Sequence, residues 1–371
     1  MPQLSSVLIV CSRMDEPGGT ERAIVNLASL LDAEGHIVTL LIADETDRFF
    51  YSLPPSIRVV HEPVHFGITE KGNLLTRKWA LLQHVARLKD RFRALQPDII
   101  IGTEYHLTIA SRWAGSGFRV IGWEHHHLYW LKKNRFWTFL HRHFYRRLNR
   151  VVCNNAREQD LFRRLGCATT VIPYSLPGLP DEQAALNTHT ILTIGWLIKR
   201  KGIDLLPQIA EAVLNAHPGW TWKLIGKGEL RDWLLEEIRK RGLDGRLLVE
   251  DPVSGDIGKE YQKASIQVML SRFECLPMVL LEGSSYGIPM VAFDCPTGPG
   301  EIILQGKSGF VVPMEDQQGF IDALSSLMEN EGLRRQMGTV ARQSSQRYQR
   351  DTVYQKWAEL FNELSVGNQQ P

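Results

Sequence analysis

The chain has 371 residues, 43% of them hydrophobic and 23% charged, with a formal net charge of +2. That length suits two domains, each able to bury its own core, and the composition is that of a globular protein rather than a disordered or fibrous one. The near-neutral balance argues against a globally basic nucleic-acid binder.

Residues 7–11 read as a first buried strand. As an N-terminal apolar run they are too short, and lack a basic flank, for a signal peptide. The loop SRMDEPGGTE follows, then residues 22–31 with apolar positions at helical spacing. Gly18 and Gly19 let backbone approach a ligand at a helix start, although an ordinary strand-to-helix turn would read the same way. The loop is not G-x-G-x-x-G, which weakens a dehydrogenase reading. Residues 37–43 form a second strand, 74–95 a long amphipathic helix, 97–101 a third strand and 120–123 a fourth. The fourth ends in Glu124-His125-His126-His127, and three adjacent histidines cannot easily face one metal.

Residues 132–150, KKNRFWTFLHRHFYRRLNR, hold seven bases and no acid: Lys132, Lys133, Arg135, Arg142, Arg146, Arg147 and Arg150. Helical spacing predicts one apolar stripe of Phe136, Phe139, Leu140, His143, Phe144 and Leu148. One reading is a helix docked on its own sheet with a solvated basic face. The other is an interfacial surface for anionic lipid, or for the pyrophosphate of a lipid-linked acceptor. RNA is weaker, since no RNA-binding motif accompanies the stretch.

Residues 151–154 are a strand, 156–165 a helix and 170–172 a short strand. The Pro-rich PYSLPGLPDEQAALN reads as an interdomain linker. A second strand, loop and helix start at Thr190, so the chain looks like two similar α/β halves. Residues 222–225 are a strand leading to Gly226-Lys227-Gly228. Residues 247–249 and 257–264 then lead to a buried strand over 266–270. Pro277 suits a first helical position, with the helix running through Gly283 and ended by Gly287 and Pro289. That helix start follows a strand's carboxyl end, where open α/β sheets place ligands. The N–H groups of Met278 and Val279, with the helix dipole, suit a phosphate.

Glu274 and Glu282 flank this point with seven residues between them. Glycosidase carboxyl pairs lie about 5 Å apart when retaining and roughly 6.5–9.5 Å when inverting. Eight helical steps at about 1.5 Å each would cover roughly 12 Å, so geometry disfavours a hydrolytic pair without excluding it. Recognition of sugar or ribose hydroxyls is a better use; a helix-start Glu and a solvated Glu is the plain alternative. Beyond Glu301, residues 309–312 are the last strand, and 316–328 and 333–348 are helical. Tyr354, Trp357, Leu360, Phe361 and Leu364 line a final helix. The five cysteines, Cys11, Cys153, Cys167, Cys275 and Cys295, are widely spaced without a C-x-x-C pair. Neither a zinc site nor a disulfide framework follows, and a reducing compartment fits. No run of about 20 apolar residues is present to span a membrane.

The segment SRFECLPMVLLEGSSYGIPMVAFDCPTGPGE resembles the E-x7-E signature of retaining glycosyltransferases of family 4, which have the GT-B fold. The flanking FDCPTGPGEII is similar to a subgroup common in bacterial polysaccharide and lipopolysaccharide synthesis. The resemblance spans almost the whole chain. It implies an α/β GT-B protein: two Rossmann-like parallel-sheet domains facing a cleft, at 1–175 for the acceptor and 188–350 for the nucleotide sugar. Residues 351–371 would be a helix crossing back to the first domain, with a polar tail.

The implied site follows the motifs. GGTER is similar to the family's first glycine-rich loop, placing Gly19 beside the donor phosphates. His125 stands where relatives carry an active-site histidine, which would bond the donor sugar or orient the acceptor. GWLIKRKG resembles G-R-L-x-x-x-K-G, with Lys201 as the diphosphate-binding lysine. Trp196 replaces the usual arginine, and Arg200 or Lys199 would stand in for it. Gly226 and Gly228 are similar to a turn near the nucleotide. Pro277, Met278 and Val279 would receive phosphate, Glu282 the ribose and Glu274 the donor sugar. The expected activity is retaining, metal-independent transfer from a UDP-sugar (UDP-Gal, UDP-GalNAc, UDP-GlcNAc or UDP-Glc) to a lipid-linked saccharide. No D-x-D triplet occurs, and no cofactor is expected beyond the donor. Lys132, Lys133, Arg135, Arg142 and Arg146 would face the acceptor or the inner surface of the cytoplasmic membrane, with no nucleic acid involved. The alternatives are a non-catalytic sugar-nucleotide-binding partner subunit and a UDP-sugar epimerase of similar fold.

Overall fold

The computed structural model describes residues 5–63, 74–125, 128, 134–253 and 256–366. The chain divides into two compact units, Met1–Ser175 with Arg350–Pro371, and Leu176–Gln349.

The first unit runs β1 (Ser6–Cys11), α1 (Gly19–Ala33), β2 (Ile37–Ile42), β3 (Arg58–His61), α2 (Leu74–Leu95), β4 (Ile99–Gly102) and α3 (Tyr105–Ala114). It continues with β5 (Arg119–Trp123), α4 (Arg135–Tyr145), β6 (Arg150–Cys153), α5 (Ala156–Arg164) and β7 (Thr169–Val171). The strands form one parallel sheet in the order β3-β2-β1-β4-β5-β6-β7. Central strands such as β1 and β4 are apolar at almost every position because helices cover both faces. Asn134 and Asn155 cap α4 and α5, their side chains accepting from Trp137 N at 2.9 Å and Glu158 N at 2.8 Å.

The last helix, α13 (Arg350–Val366), belongs to this first unit. Trp357 meets Trp123 edge-on with ring centres 5.8 Å apart, and Phe361 meets His36 at 5.6 Å. His36 is held from both sides: its Nδ1 accepts from Ser5 N at 3.1 Å, and its Nε2 lies 3.1 Å from Tyr354 Oη. Arg150 pairs with Glu363 at 2.8 Å and Arg350 donates to Ser29 O at 3.2 Å.

The second unit contains β8 (Thr190–Ile194), α6 (Leu206–Ala216), β9 (Thr221–Ile225), α7 (Arg231–Lys240), β10 (Leu247–Glu250), α8 (Gly258–Gln262) and β11 (Ile266–Met269). It ends with α9 (Met278–Ser285), β12 (Met290–Phe293), α10 (Pro299–Ile302), β13 (Gly309–Val312), α11 (Gln317–Glu329) and α12 (Glu331–Ser345). Its sheet is also parallel, in the order β10-β9-β8-β11-β12-β13. Residues 176–187, expected largely as a linker, are part of this unit. Ala184 N donates to Tyr286 O at 2.9 Å and Ala185 N to Gln262 O at 3.0 Å, while Ala184 and Leu186 pack with Ile288.

The expected stripe on α4 is corrected. Its buried residues are Trp137, Leu140, His141 and Tyr145, about a quarter turn from the predicted face. Phe136 is 42% exposed and Phe139 64%. The reason lies in the polar tips: Tyr145 donates its hydroxyl to the buried Glu124 and stacks on His141 at 3.8 Å, while Trp137 meets Tyr105 at 5.8 Å. Arg135, Arg142 and Arg146 are exposed on α4 and its C-cap. Lys132 and Lys133 lie outside the described residues. Among the described residues no helix is long and apolar enough to cross a membrane.

Candidate active site

In the second sheet the strand order reverses between β8 and β11, so their carboxyl ends flank a topological switch point. After β8 the chain makes a tight turn at Lys199–Lys201, closed by Gly202 at φ 72°. A Cβ on Gly202 would stand 2.0 Å from Leu270 O, so only glycine lets this turn press on the end of β11. The two loops meet at Lys201, whose Nζ lies 2.5 Å from Glu274 Oε1, with the side chains 20% and 12% exposed. Glu274 is fixed from the loop after β12: its N–H donates to Pro296 O at 2.9 Å, and its carbonyl accepts from Thr297 N at 2.6 Å. Arg272 N donates to Arg200 O at 2.9 Å, and the Arg272 guanidinium forks onto Asp204 at 2.6 and 2.9 Å. Burial, and then Glu274, push the Cys295 thiol far up, so it stays neutral. All five cysteines are buried free thiols.

Gly226 and Gly228 bring the loop after β9 onto the loop after β8. A Cβ would stand 1.9 Å from Gly195 O at the first and 2.5 Å from Leu197 O at the second. Helix α9 starts one residue later than expected: Pro277 is its N-cap, extended at φ −70° and ψ 109°, and the helical ladder begins with Leu280 N to Pro277 O. Met278 and Val279 are therefore the first helical residues, in the turn whose N–H groups point out of the helix. Gln267 ties the helix to β11, donating to Val279 O at 2.8 Å. Gly283 gives it room, since a Cβ there would stand 1.7 Å from Gln267 Oε1. Glu282 accepts from Tyr261 Oη at 2.7 Å, and Tyr261 stacks on Tyr286. The second unit thus gathers Lys201 with Glu274, and Pro277, Met278, Val279 and Glu282 on one helix.

Gly19 and His125 belong to the first unit, whose sheet has its own switch point between β1 and β4. Gly19 is exposed at the start of α1. Glu21 folds back over the helix start, so a Cβ on Gly18 would meet its Oε2 at 1.9 Å. Burial, reinforced by Glu104 and Glu16, pushes the Glu21 carboxyl up to about 7. Beyond β1, Ser12 donates its hydroxyl to Glu104, and His106 Nε2 lies 3.2 Å from the other oxygen of that carboxylate. His125 is 6% exposed, with Nδ1 2.8 Å from Tyr174 Oη, stacked on Tyr174 and edge-on to Trp123. Sequence reasoning missed Ser12, Glu104 and His106, whose signal was their place just after two predicted strands. It also missed Asp204, Tyr261 and Gln267, which no local motif marks.

Two family models match the chain, Glycosyltransferase Family 4 over residues 17–175 and Glycosyl transferases group 1 over residues 180–344. An exopolysaccharide phosphotransferase of Streptomyces coelicolor is 28% identical, covering 94% of this chain and 40% of its own length. The amylovoran biosynthesis glycosyltransferase AmsD of Erwinia amylovora is 34% identical, over 49% of this chain and 50% of its own. The chain thus spans half or less of the length of these two relatives. The fold matches a solved structure of Staphylococcus aureus TarM with Fondaparinux, alpha-GlcNAc-glycerol and UDP. The TM-score is 0.81 at 13% identity, covering 97% of this chain and 100% of that one. Two parallel-sheet units that each match a model of the family, with the E-x7-E helix at the switch point of the second, make the chain a family 4 glycosyltransferase of GT-B fold.

Proposed function

We propose that the chain transfers a sugar, with retention at the anomeric carbon, from a UDP-sugar to a lipid-linked saccharide in surface polysaccharide or lipopolysaccharide synthesis. The observation that carries this reading is the meeting of Lys201 and Glu274 between the ends of β8 and β11, beside the start of α9. The bond between the donor's anomeric carbon and the diphosphate oxygen breaks. An acceptor hydroxyl oxygen bonds to that carbon on the same face, and its proton passes to the departing diphosphate. Negative charge therefore grows on the diphosphate, where Lys201 and the N–H groups of Met278 and Val279 stabilise it without a metal. Arg200, Gly226 and Gly228 shape the donor loops, Glu274 takes donor-sugar hydroxyls and Glu282 the ribose. From the first unit, Gly19 would serve the donor phosphates, and His125, held by Tyr174, would bond the donor sugar or orient the acceptor. The Streptomyces relative's name supports a role with exopolysaccharide, the AmsD name supports a biosynthetic glycosyltransferase, and the UDP in the TarM structure supports the nucleotide. Arg135, Arg142 and Arg146 would bring the protein to an anionic membrane face at the inner side of the cytoplasmic membrane.

Calorimetry with UDP tests the donor site. Glu282→Ala leaves ribose hydroxyls without a charged acceptor, so the loss is about 1.5–3 kcal/mol, roughly tenfold or more in affinity. A wild-type chain that does not bind UDP overturns the reading.

A further inference from the structure

Tyr261 lies on the short helix α8 and reaches across to the helix that carries the E-x7-E carboxylate. Its hydroxyl donates to Glu282 Oε2 at 2.7 Å. The same hydroxyl oxygen lies 3.4 Å from Val279 O, about one turn back along α9. One hydroxyl carries one proton, and the nearer, charged acceptor takes it. The ring is held as firmly as the tip. It is 1% exposed, packs with Ala184, Ala264 and Ile288, and stacks on Tyr286 with ring centres 5.2 Å apart. Tyr286 is the C-cap of α9. Gly258 lets α8 come this close, since a Cβ there would stand 2.3 Å from Tyr286 Oη. Tyr261 thus touches α9 twice, by its hydroxyl at Glu282 and by its ring at the C-cap.

A buried tyrosine needs an acceptor for its hydroxyl, and Glu282 supplies one. The place of that acceptor gives the bond a second use. Val279 and Glu282 lie three residues apart on α9, and Val279 stands in the turn whose N–H groups would meet the diphosphate. Gln267 holds that turn from β11 at Val279 O, and Tyr261 holds Glu282 from α8. The last torsion of a glutamate, which turns the carboxylate plane, is broad. Accepting from two neighbouring hydroxyls at once requires one setting of that plane. A side chain not already set loses rotamer freedom when the ligand binds. A bond to Oε2 from a buried, stacked ring sets the plane beforehand. A ribose presents two hydroxyls on adjacent carbons; a 2′-deoxyribose presents one.

We propose that Tyr261 is a positioning residue that presets the Glu282 carboxylate and so gives the donor site its preference for a ribonucleotide over a deoxyribonucleotide. This rests on the reading of Glu282 as the ribose carboxylate. Titration calorimetry with UDP and with 2′-deoxy-UDP measures the preference directly. The wild-type chain should favour UDP about tenfold or more. Tyr261→Phe keeps the buried ring and its stack, removes one oxygen, and leaves a half-buried carboxylate that water can reach, so the chain should fold. It should bring the ratio to within about twofold, mainly by weakening UDP. In a Glu282→Ala background the same substitution should leave the ratio as it finds it, because the hydroxyl acts only through that carboxylate. A Tyr261→Phe chain that keeps the wild-type ratio overturns the proposal, whether both nucleotides bind as before or are weakened alike, since the hydroxyl then serves packing alone. A further change of the ratio in the Glu282→Ala background overturns it as well. A wild-type chain that binds UDP and 2′-deoxy-UDP equally defeats the ribose reading of Glu282, and one that binds neither defeats the donor reading; either result removes this proposal with it.

Discussion

Glu21 makes the folded first unit depend on pH in a direction that can be worked out. Burial, with Glu104 and Glu16 adding to it, lifts its carboxyl from the ordinary 4.5 to about 7, against the opposing pull of its own backbone N–H and Arg13. Between those values the folded chain holds a proton that the unfolded chain has released. The folded state binds more protons there, so stability falls as pH rises from about 4.5 to about 7 and levels above. At about 1.4 kcal/mol for each pH unit between the two values, the change is at most about 3 kcal/mol. Glu21→Gln keeps the shape and mimics the protonated form. It should match the wild type near pH 4.5 and exceed it near pH 8 by up to that amount. Urea unfolding of both chains across this range, with hydrogen exchange of the α1 amides to follow the first unit, reads the difference. His106, whose pKa burial lowers, contributes with the opposite sign, but it is present in both chains. Parallel stability profiles for the two chains would refute the reasoning.

Lys201→Ala should fold and lose about 10²-fold or more in kcat, as removal of one donor to a developing anion does; a near-normal rate contradicts its role. Trp357→Ala empties a site that is 1% exposed in the first unit, at a cost of about 3–5 kcal/mol, read as a lower Tm. Sedimentation with anionic vesicles should pellet the chain at low salt, less so with Arg142→Glu and Arg146→Glu together, while neutral vesicles should not. Equal behaviour with both lipids refutes the membrane face.

How far the fold is legible depends on what each element buries. Central strands such as β1, β4 and β12 are covered on both faces and read as unbroken apolar runs. β3 is an edge strand of four residues, half-exposed along most of its length, and no such run betrays it. Helix α3 is hidden for a different reason. Its buried face includes Thr108 and Ser111 beside Leu107, Ile109 and Ala114, so polar letters break the period. Glu104 at its N-cap gives no side-chain cap bond to mark the start.

The site follows the same logic one level up. Glycines and charges at strand ends are local signals, and with the resemblance they make Lys201, Gly226 and Glu282 candidates. The partners that fix the surrounding loops and helix come from elsewhere in the chain: Asp204 for Arg272, Tyr261 for Glu282, Gln267 for the carbonyl of Val279. Only the folded sheet brings those partners together. Helix α4 shows the converse, because a period counts apolar letters without asking what each polar tip can reach. Tyr145 goes inward because its hydroxyl finds Glu124, and Trp137 goes with it. The ring that has no polar tip to satisfy, Phe139, is left outside with Phe136, Arg135 and Arg142. Turned as it is, the helix offers aromatic rings and arginines on the same exposed side, the combination that interfacial binding needs.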